Sequence, residues 1–184
     1  MEITEKLLSI LQMVNDWLKF AEAKNAVLLA FCGAGITAIV TYLSAAEAIP
    51  DSLRLSLLIS TFLLGISSLI CSLSFLPKTD IEHFIWLRRR PNRNSKSLKS
   101  TDNFYFFNNL RKYDSDSLLE AMNKFYFEGK IPAPYKKEDL DLASQVTINS
   151  EIASTKFAFF RIALWFLILA ILAVPILGFL ALPA

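Results

Sequence analysis

Three long blocks of the chain carry almost no charge, and this constrains its fold more than any other feature. Ala26 to Ala46 has none, Leu53 to Leu76 has only Arg54 near its start, and Phe157 to Ala184 has only Arg161 in its first turn. A helix rises about 1.5 Å per residue, so roughly 20 apolar residues cross a hydrocarbon core, and each block is long enough. A single all-apolar helix could lie in the core of a large soluble domain. Three of them in 184 residues leave too little polar surface to cover them. The composition agrees, with 54% hydrophobic residues. The expectation is an all-α membrane protein with three transmembrane helices, spans at 26–46, 53–76 and 157–182.

Orientation follows from the basic residues. The turn between the first two blocks holds Glu47 and Asp51 and no Lys or Arg, whereas residues 77–156 carry 14 basic and 11 acidic side chains. Basic loops stay on the cytoplasmic side, so the long segment and the amino terminus are expected inside and the carboxy terminus outside. No small-residue cleavage site follows a short apolar core near the amino terminus, so the first span is expected to remain. Cys32 and Cys71 fall within spans and read as small packing residues.

Residues 1–25 predict an amphipathic helix that continues into the first span. Leu7, Leu11, Val14, Leu18 and Ala21 share a face, flanked by Ile10 and Trp17, and neither Gly nor Pro interrupts the run from Met1 to Phe31. At the junction stand Glu22, Lys24 and Asn25. On the same wheel Glu22 and Asn25 lie on or beside the buried face, while Lys24 lies near Trp17 and Phe20. Such a cluster is either an interfacial anchor or a polar group aimed into a bundle at the membrane mouth.

The region 77–156 predicts a small helical domain. Lys78 to Leu87 would continue the second span, and a basic linker follows at 88–99, containing Arg88, Arg89, Arg90, Arg93, Lys96 and Lys99. That run suits anionic inner-leaflet lipid. It lacks interleaved aromatics, so no nucleic acid polymer is expected as a partner. Phe104, Phe107 and Leu110 recur at helical spacing with Thr101 or Asp102 as cap. A second short helix would be capped by Ser115 or Asp116. Pro132 and Pro134 make Ile131 to Tyr135 extended. A last helix begins between Lys137 and Leu140 and runs into the third span.

Catalysis is not expected. The single histidine, His83, has no evident partner. Five scattered glycines make no phosphate-cradling loop, and no metal or cofactor set is apparent. The aspartate pairs Asp114/Asp116 and Asp139/Asp141 stand where helices begin. The spans carry a different pattern. Ala26, Ala30, Gly33, Thr37, Thr41 and Ser44 form a small-residue stripe on the first, and Ser56, Ser60, Ser67, Cys71 and Ser74 a hydroxyl-rich stripe on the second. Such faces pack helices closely or line a water path. Three helices per chain cannot enclose a pore, so conduction implies a homo-oligomer.

Three stretches together carry a resemblance: FAEAKNAVLLAFCGAGI (Phe20 to Ile36), NFYFFNNLRKYDSDSLLEAM (Asn103 to Met122) and QVTINSEIASTKFAFFRIAL (Gln145 to Leu164). In order and spacing they resemble the transmembrane effectors of Pycsar antiphage defence, over nearly the whole chain. The resemblance implies an inner-membrane protein acting downstream of a pyrimidine cyclase. Cyclic CMP or cyclic UMP would be the activating ligand, although related membrane effectors answer to cyclic oligonucleotides. The response would be loss of inner-membrane integrity. A cyclic nucleotide needs a cation for phosphate, amides for the base edge and an aromatic platform. Lys24, Lys156, Asn25, Asn103, Gln145, Asn149, Phe104 and Tyr105 could supply these, or could tie three helices together at the interface. Two other readings stay open: a non-conducting anchor or scaffold that recruits a cytoplasmic partner through the basic linker, and a small constitutive channel.

Overall fold

The structure is a computed structural model that describes residues 2–46, 49–76 and 101–180. The linker 88–99, the segment from Lys78 to Leu87, His83 and the residues after 180 lie outside the described residues. The described residues form five helices and no strand: α1 (Ile3–Ala45), α2 (Asp51–Leu73), α3 (Phe107–Leu110), α4 (Ser115–Tyr126) and α5 (Lys137–Leu180). Three of them, α1, α2 and α5, are long and apolar enough to cross a membrane. The chain divides into two compact units, Met1–Ala21 with Pro77–Lys156, and Glu22–Leu76 with Phe157–Ala184. Helices α1 and α5 each contribute to both.

The first unit, called here the amphipathic unit, has an aliphatic and aromatic core. Ile3, Leu7, Ile10 and Val14 of α1 are buried with Leu110, Leu118, Leu119 and Met122 and with Ala143 and Val146 of α5. The buried line on α1 is centred on Ile10, and Leu11 and Leu18, expected at its centre, are only partly buried at its flank. Each such leucine or isoleucine contributes about 1.5–3 kcal/mol when removed from water.

Two helix starts differ from expectation. The segment from Thr101 forms turns, and α3 begins only at Phe107 after the extended Phe106. Asn103 draws it away from a helix: its Oδ1 accepts from the Tyr105 N–H at 2.9 Å, a local turn that competes with helical pairing. Helix α4 is capped one residue earlier than expected, by Asp114. Its carboxylate accepts from the Ser117 N–H at 2.8 Å while the Asp114 N–H donates to the Ser117 hydroxyl at 3.0 Å, a reciprocal capping box. After α4 the chain reverses through Glu128 and Gly129, both at positive φ (53° and 73°). A glycine tolerates that conformation without penalty, and its N–H donates to the Asn123 carbonyl at 3.0 Å. The Asn123 side chain then clamps the non-helical proline stretch, donating to the Ile131 carbonyl at 2.9 Å and accepting from the Ile131 N–H at 3.2 Å.

The second unit, the apolar-helix unit, holds the three membrane-capable stretches. Its core is small: Leu28, Cys32, Leu64, Cys71, Ala163, Leu167 and Ala170. Buried with them are polar groups, Asn25, Ser56, Ser60, Ser67 and Ser74.

Candidate ligand-binding and helix-packing sites

The residues that sequence chemistry assembled into a nucleotide site are divided between the units. Lys24 and Asn25 belong to the apolar-helix unit, and Asn103, Phe104, Tyr105, Gln145, Asn149 and Lys156 to the amphipathic unit. In the first of these, Asn25 is fully buried, and the Lys24 ammonium lies 5.3 Å from the Phe160 ring centre and 5.9 Å from that of Phe157. Cation–π contact of this kind stabilises by about 0.5–2 kcal/mol.

In the amphipathic unit the expected residues have unequal access. Phe104, expected as a stacking platform, is only 3% exposed. Its ring packs against Tyr113 and Tyr126 at 5.6 Å and against Phe125 at 6.3 Å, so its faces belong to the core. Lys156 is buried too. Asn149 donates to the Asn15 side-chain oxygen at 2.9 Å, tying α5 to α1, while Gln145 and Asn103 are exposed. Further polar ties hold the same unit: the Thr4 hydroxyl donates to the buried Asp139 at 2.7 Å, and Arg111 donates to Ser154 at 2.7 Å.

Tyr105 sits in a setting that sequence reasoning missed. The Lys6 ammonium donates to the Tyr105 hydroxyl and lies 4.7 Å from the centre of that ring and 5.2 Å from the centre of Tyr126. Tyr126 keeps its proton more strongly than an ordinary tyrosine, because burial and then Tyr105 oppose its ionisation while Lys6 favours it. Lys6 and Tyr105 are 99 residues apart, so no local signal could have paired them. A separate open cavity of about 290 Å3 is lined by Ile3, Phe127, Ile131, Pro134, Tyr135 and Asp139, among others. None of the residues expected for the nucleotide lies in its wall.

The packing stripes also part company. The α2 stripe is consumed within its own unit. Ser60 donates to the Ala170 carbonyl at 2.8 Å and Ser67 to the Ala163 carbonyl at 2.9 Å, both on α5. Cys32 donates its S–H to Ser67 at 3.3 Å, and Ser56 bonds back to the Leu53 carbonyl. The α1 stripe faces outward instead: Ala26, Ala30, Gly33, Thr37, Thr41 and Ser44 are all exposed. A Cβ on Gly33 would meet nothing within 4 Å. The glycine at close quarters inside the chain is Gly35, where a Cβ would stand 3.1 Å from the Leu64 Cδ1. Two residues separate Gly33 from Gly35 on α1, and the roughly 200° between them puts one outside and one inside.

Three membrane-capable helices, two of which extend into a second helical unit with a core of its own, define a multi-pass helical membrane protein. The chain belongs to the Pycsar effector family: the Pycsar effector protein domain (PycTM) matches residues 6–182. It is thus a transmembrane effector of antiphage defence. The Pycsar effector protein RsPycTM of a Rhizobium species is 30% identical over 148 residues, which are 79% of this chain and 77% of that protein. No solved structure matches the chain significantly.

Proposed function

We propose that this effector responds to a cyclic pyrimidine nucleotide, cyclic CMP or cyclic UMP made by a cognate cyclase, by self-associating in the inner membrane and breaching it. The observation that carries self-association is the outward α1 stripe. Ala26, Ala30, Gly33, Thr37, Thr41 and Ser44 run along one exposed face, while the comparable face of α2 is already used within the chain. In lipid, small faces draw helices together because backbones can approach and hydroxyls can bond across the gap. Thr37 and Ser44 at present bond back to the Gly33 and Val40 carbonyls of their own helix, at 2.9 and 2.8 Å. A second copy seated on this face would complete a surface that one chain leaves open. The chain acts without catalysis, its ligand serving as a signal; the amino terminus and the region 77–156 are cytoplasmic and the carboxy terminus is outside, as the basic residues indicate.

Dye-loaded proteoliposomes containing the purified chain test this reading. Cyclic CMP or cyclic UMP should release dye where 5′-CMP does not. Gly33→Leu should insert and fold, since the space at Gly33 is open within the chain, yet release little. Gly35→Leu should disturb the chain itself through Leu64. Release that ignores nucleotide would make the protein a constitutive channel, and no release at any nucleotide concentration would make it an anchor.

A further inference from the structure

The cations of the amphipathic unit are not held alike. Lys19, Lys112, Lys130 and Lys137 each lie against a carboxylate: Asp16, Asp102, Glu128 and Asp141. Lys6 does not. Among the described residues its partners are the Tyr105 hydroxyl, at the edge of that ring, and the Tyr126 ring, and it is half-buried there. An ammonium has three donors, and the Tyr105 hydroxyl takes one. The result is a partly desolvated positive charge beside one aromatic ring, with no carboxylate of the described residues in ion-pair contact and donors to spare.

The chemistry that complements such a site is an anion joined to a flat ring. A phosphate oxygen would supply the missing negative charge through charge-assisted hydrogen bonds. A base would lie on an aromatic face, and Tyr126 is 42% exposed. Its hydroxyl keeps its proton, so it is a donor. Asn103 stands beside this group in the chain: its side-chain oxygen is engaged by the Tyr105 N–H at 2.9 Å, which leaves its amide N–H groups for a base carbonyl.

We propose that Lys6, between Tyr105 and Tyr126, is the phosphate-binding cation of a mononucleotide site lying wholly within the amphipathic unit, with Tyr126 as the stacking face and Asn103 at the base edge. This rests on the functional reading above and moves its cation from Lys24 to Lys6 and its platform from Phe104 to Tyr126. The site is formed without any group from the apolar-helix unit, so the nucleotide's first contact is with the unit that contains the non-membrane helices.

Calorimetric titration of the full chain in nanodiscs tests it, with cyclic CMP, cyclic UMP, inorganic phosphate and cytidine as probes, beside the dye-release assay. Wild type should bind one cyclic nucleotide more tightly than either phosphate or cytidine. Lys6→Gln should weaken that binding roughly tenfold or more, the scale of a lost charge-assisted bond. Lys6→Arg should retain most of it, and Tyr126→Ala should weaken it when measured well below that variant's own melting temperature, which loss of the Phe104 contact lowers. Lys24→Glu should leave affinity intact. Nucleotide-triggered release that survives in both Lys6→Gln and Tyr126→Ala overturns this site and leaves the functional reading standing. Absence of both binding and release in wild type overturns the two together. Phosphate binding as tightly as the nucleotide also overturns the proposal, because the tyrosines would then play no part.

Discussion

The two units differ in the size of the side chains at their centres. In the amphipathic unit the largest fully buried side chains are Leu7, Ile10, Leu110, Leu118, Leu119 and Met122, with Asp139, Thr147, Ser150 and Lys156 among its buried polar groups. In the apolar-helix unit the buried positions include Asn25, Ser56, Ser60, Ser67 and Ser74, while Val27, Phe31, Phe62, Leu69 and Trp165 are more than half exposed. The difference is the one that packing in water and packing in lipid would each favour. Water drives large apolar groups inward, whereas lipid tails are as apolar as leucine and give no such drive. What holds helices together in lipid is close contact between small residues and hydrogen bonds between backbone and hydroxyl, which Ser60 and Ser67 provide.

The largest expected effect lies in the amphipathic unit. Leu118 is fully buried in the aliphatic core, so Leu118→Ala should cost about 2–5 kcal/mol through lost burial and the cavity left behind. Trp17 packs against Phe107 in the same unit, with ring centres 5.7 Å apart, and reports its unfolding. Fluorescence-monitored denaturation, with Trp86→Phe and Trp165→Phe as background changes, measures the loss. A cost near zero would mean that this core is not driven by water exclusion, and the contrast between the units would fail.

Next is the cap of α4. Asp114→Ala removes the reciprocal pair with Ser117 and should cost about 0.5–2 kcal/mol, typically ~1. Asp114→Asn should recover most of it, because an amide oxygen accepts from the same N–H. Equal losses in both variants would assign the effect to charge and remove the capping box from the account.

The sequence made the apolar blocks legible because the bilayer demands long uncharged runs, a requirement that leaves a mark at every position. The helix starts were less legible. A run such as Phe104, Phe107, Leu110 has helical spacing whether or not the backbone follows it, and one side-chain bond from Asn103 decided against helix there. For the stripes, the small residues could be found on a wheel, but a wheel does not say which face meets a neighbour; Gly33 and Gly35 separate only when Leu64 is in place. The candidate ligand site was the least legible. Lys6 lies on a helix whose polar face looks merely wet, and its meaning comes from two tyrosines brought in from remote segments. Residue type also does not separate Phe104 from Tyr126, one ring closed within the core and the other 42% exposed; burial does.

A third expected effect appears only in alkali. Tyr113 is buried and donates its hydroxyl to Asp102 at 2.8 Å; burial first, then that bond and the carboxylate's charge, hold its proton well above the ordinary tyrosine range. An unfolded tyrosine loses its proton near pH ~10. Above that pH the unfolded chain binds fewer protons than the folded one, so this contribution to stability is complete below about 10 and is lost as pH rises through the folded value. One such group imposes a slope of at most about 1.4 kcal/mol per pH unit. Tyr113→Phe should flatten part of the fall, and Tyr126, shifted in the same direction, accounts for more of it. Denaturation midpoints between about pH 8 and about pH 11 give the slope directly. An unchanged slope in Tyr113→Phe would show that the hydroxyl ionises freely in the folded chain.

The smallest effect is expected where the hydroxyls are buried. Ser67 donates to the Ala163 carbonyl and accepts from the Cys32 S–H, so Ser67→Ala removes two contacts between α2 and its neighbours. In water-soluble cores, breaking buried polar contacts is costly because a partner is left dry and unpaired. Here the Ala163 carbonyl lies inside α5 and keeps its own helical bond, while an alanine fits easily where a serine packed. The loss should therefore be about 0.6 kcal/mol and not exceed about 1.7 kcal/mol. Unfolding in mixed micelles of rising SDS fraction measures it, and dye release by cyclic nucleotide should survive in the same variant. A loss as large as that of Leu118→Ala would mean that the serine contacts dominate this unit, and the small residues packed around them would then be passengers rather than the cause of helix association.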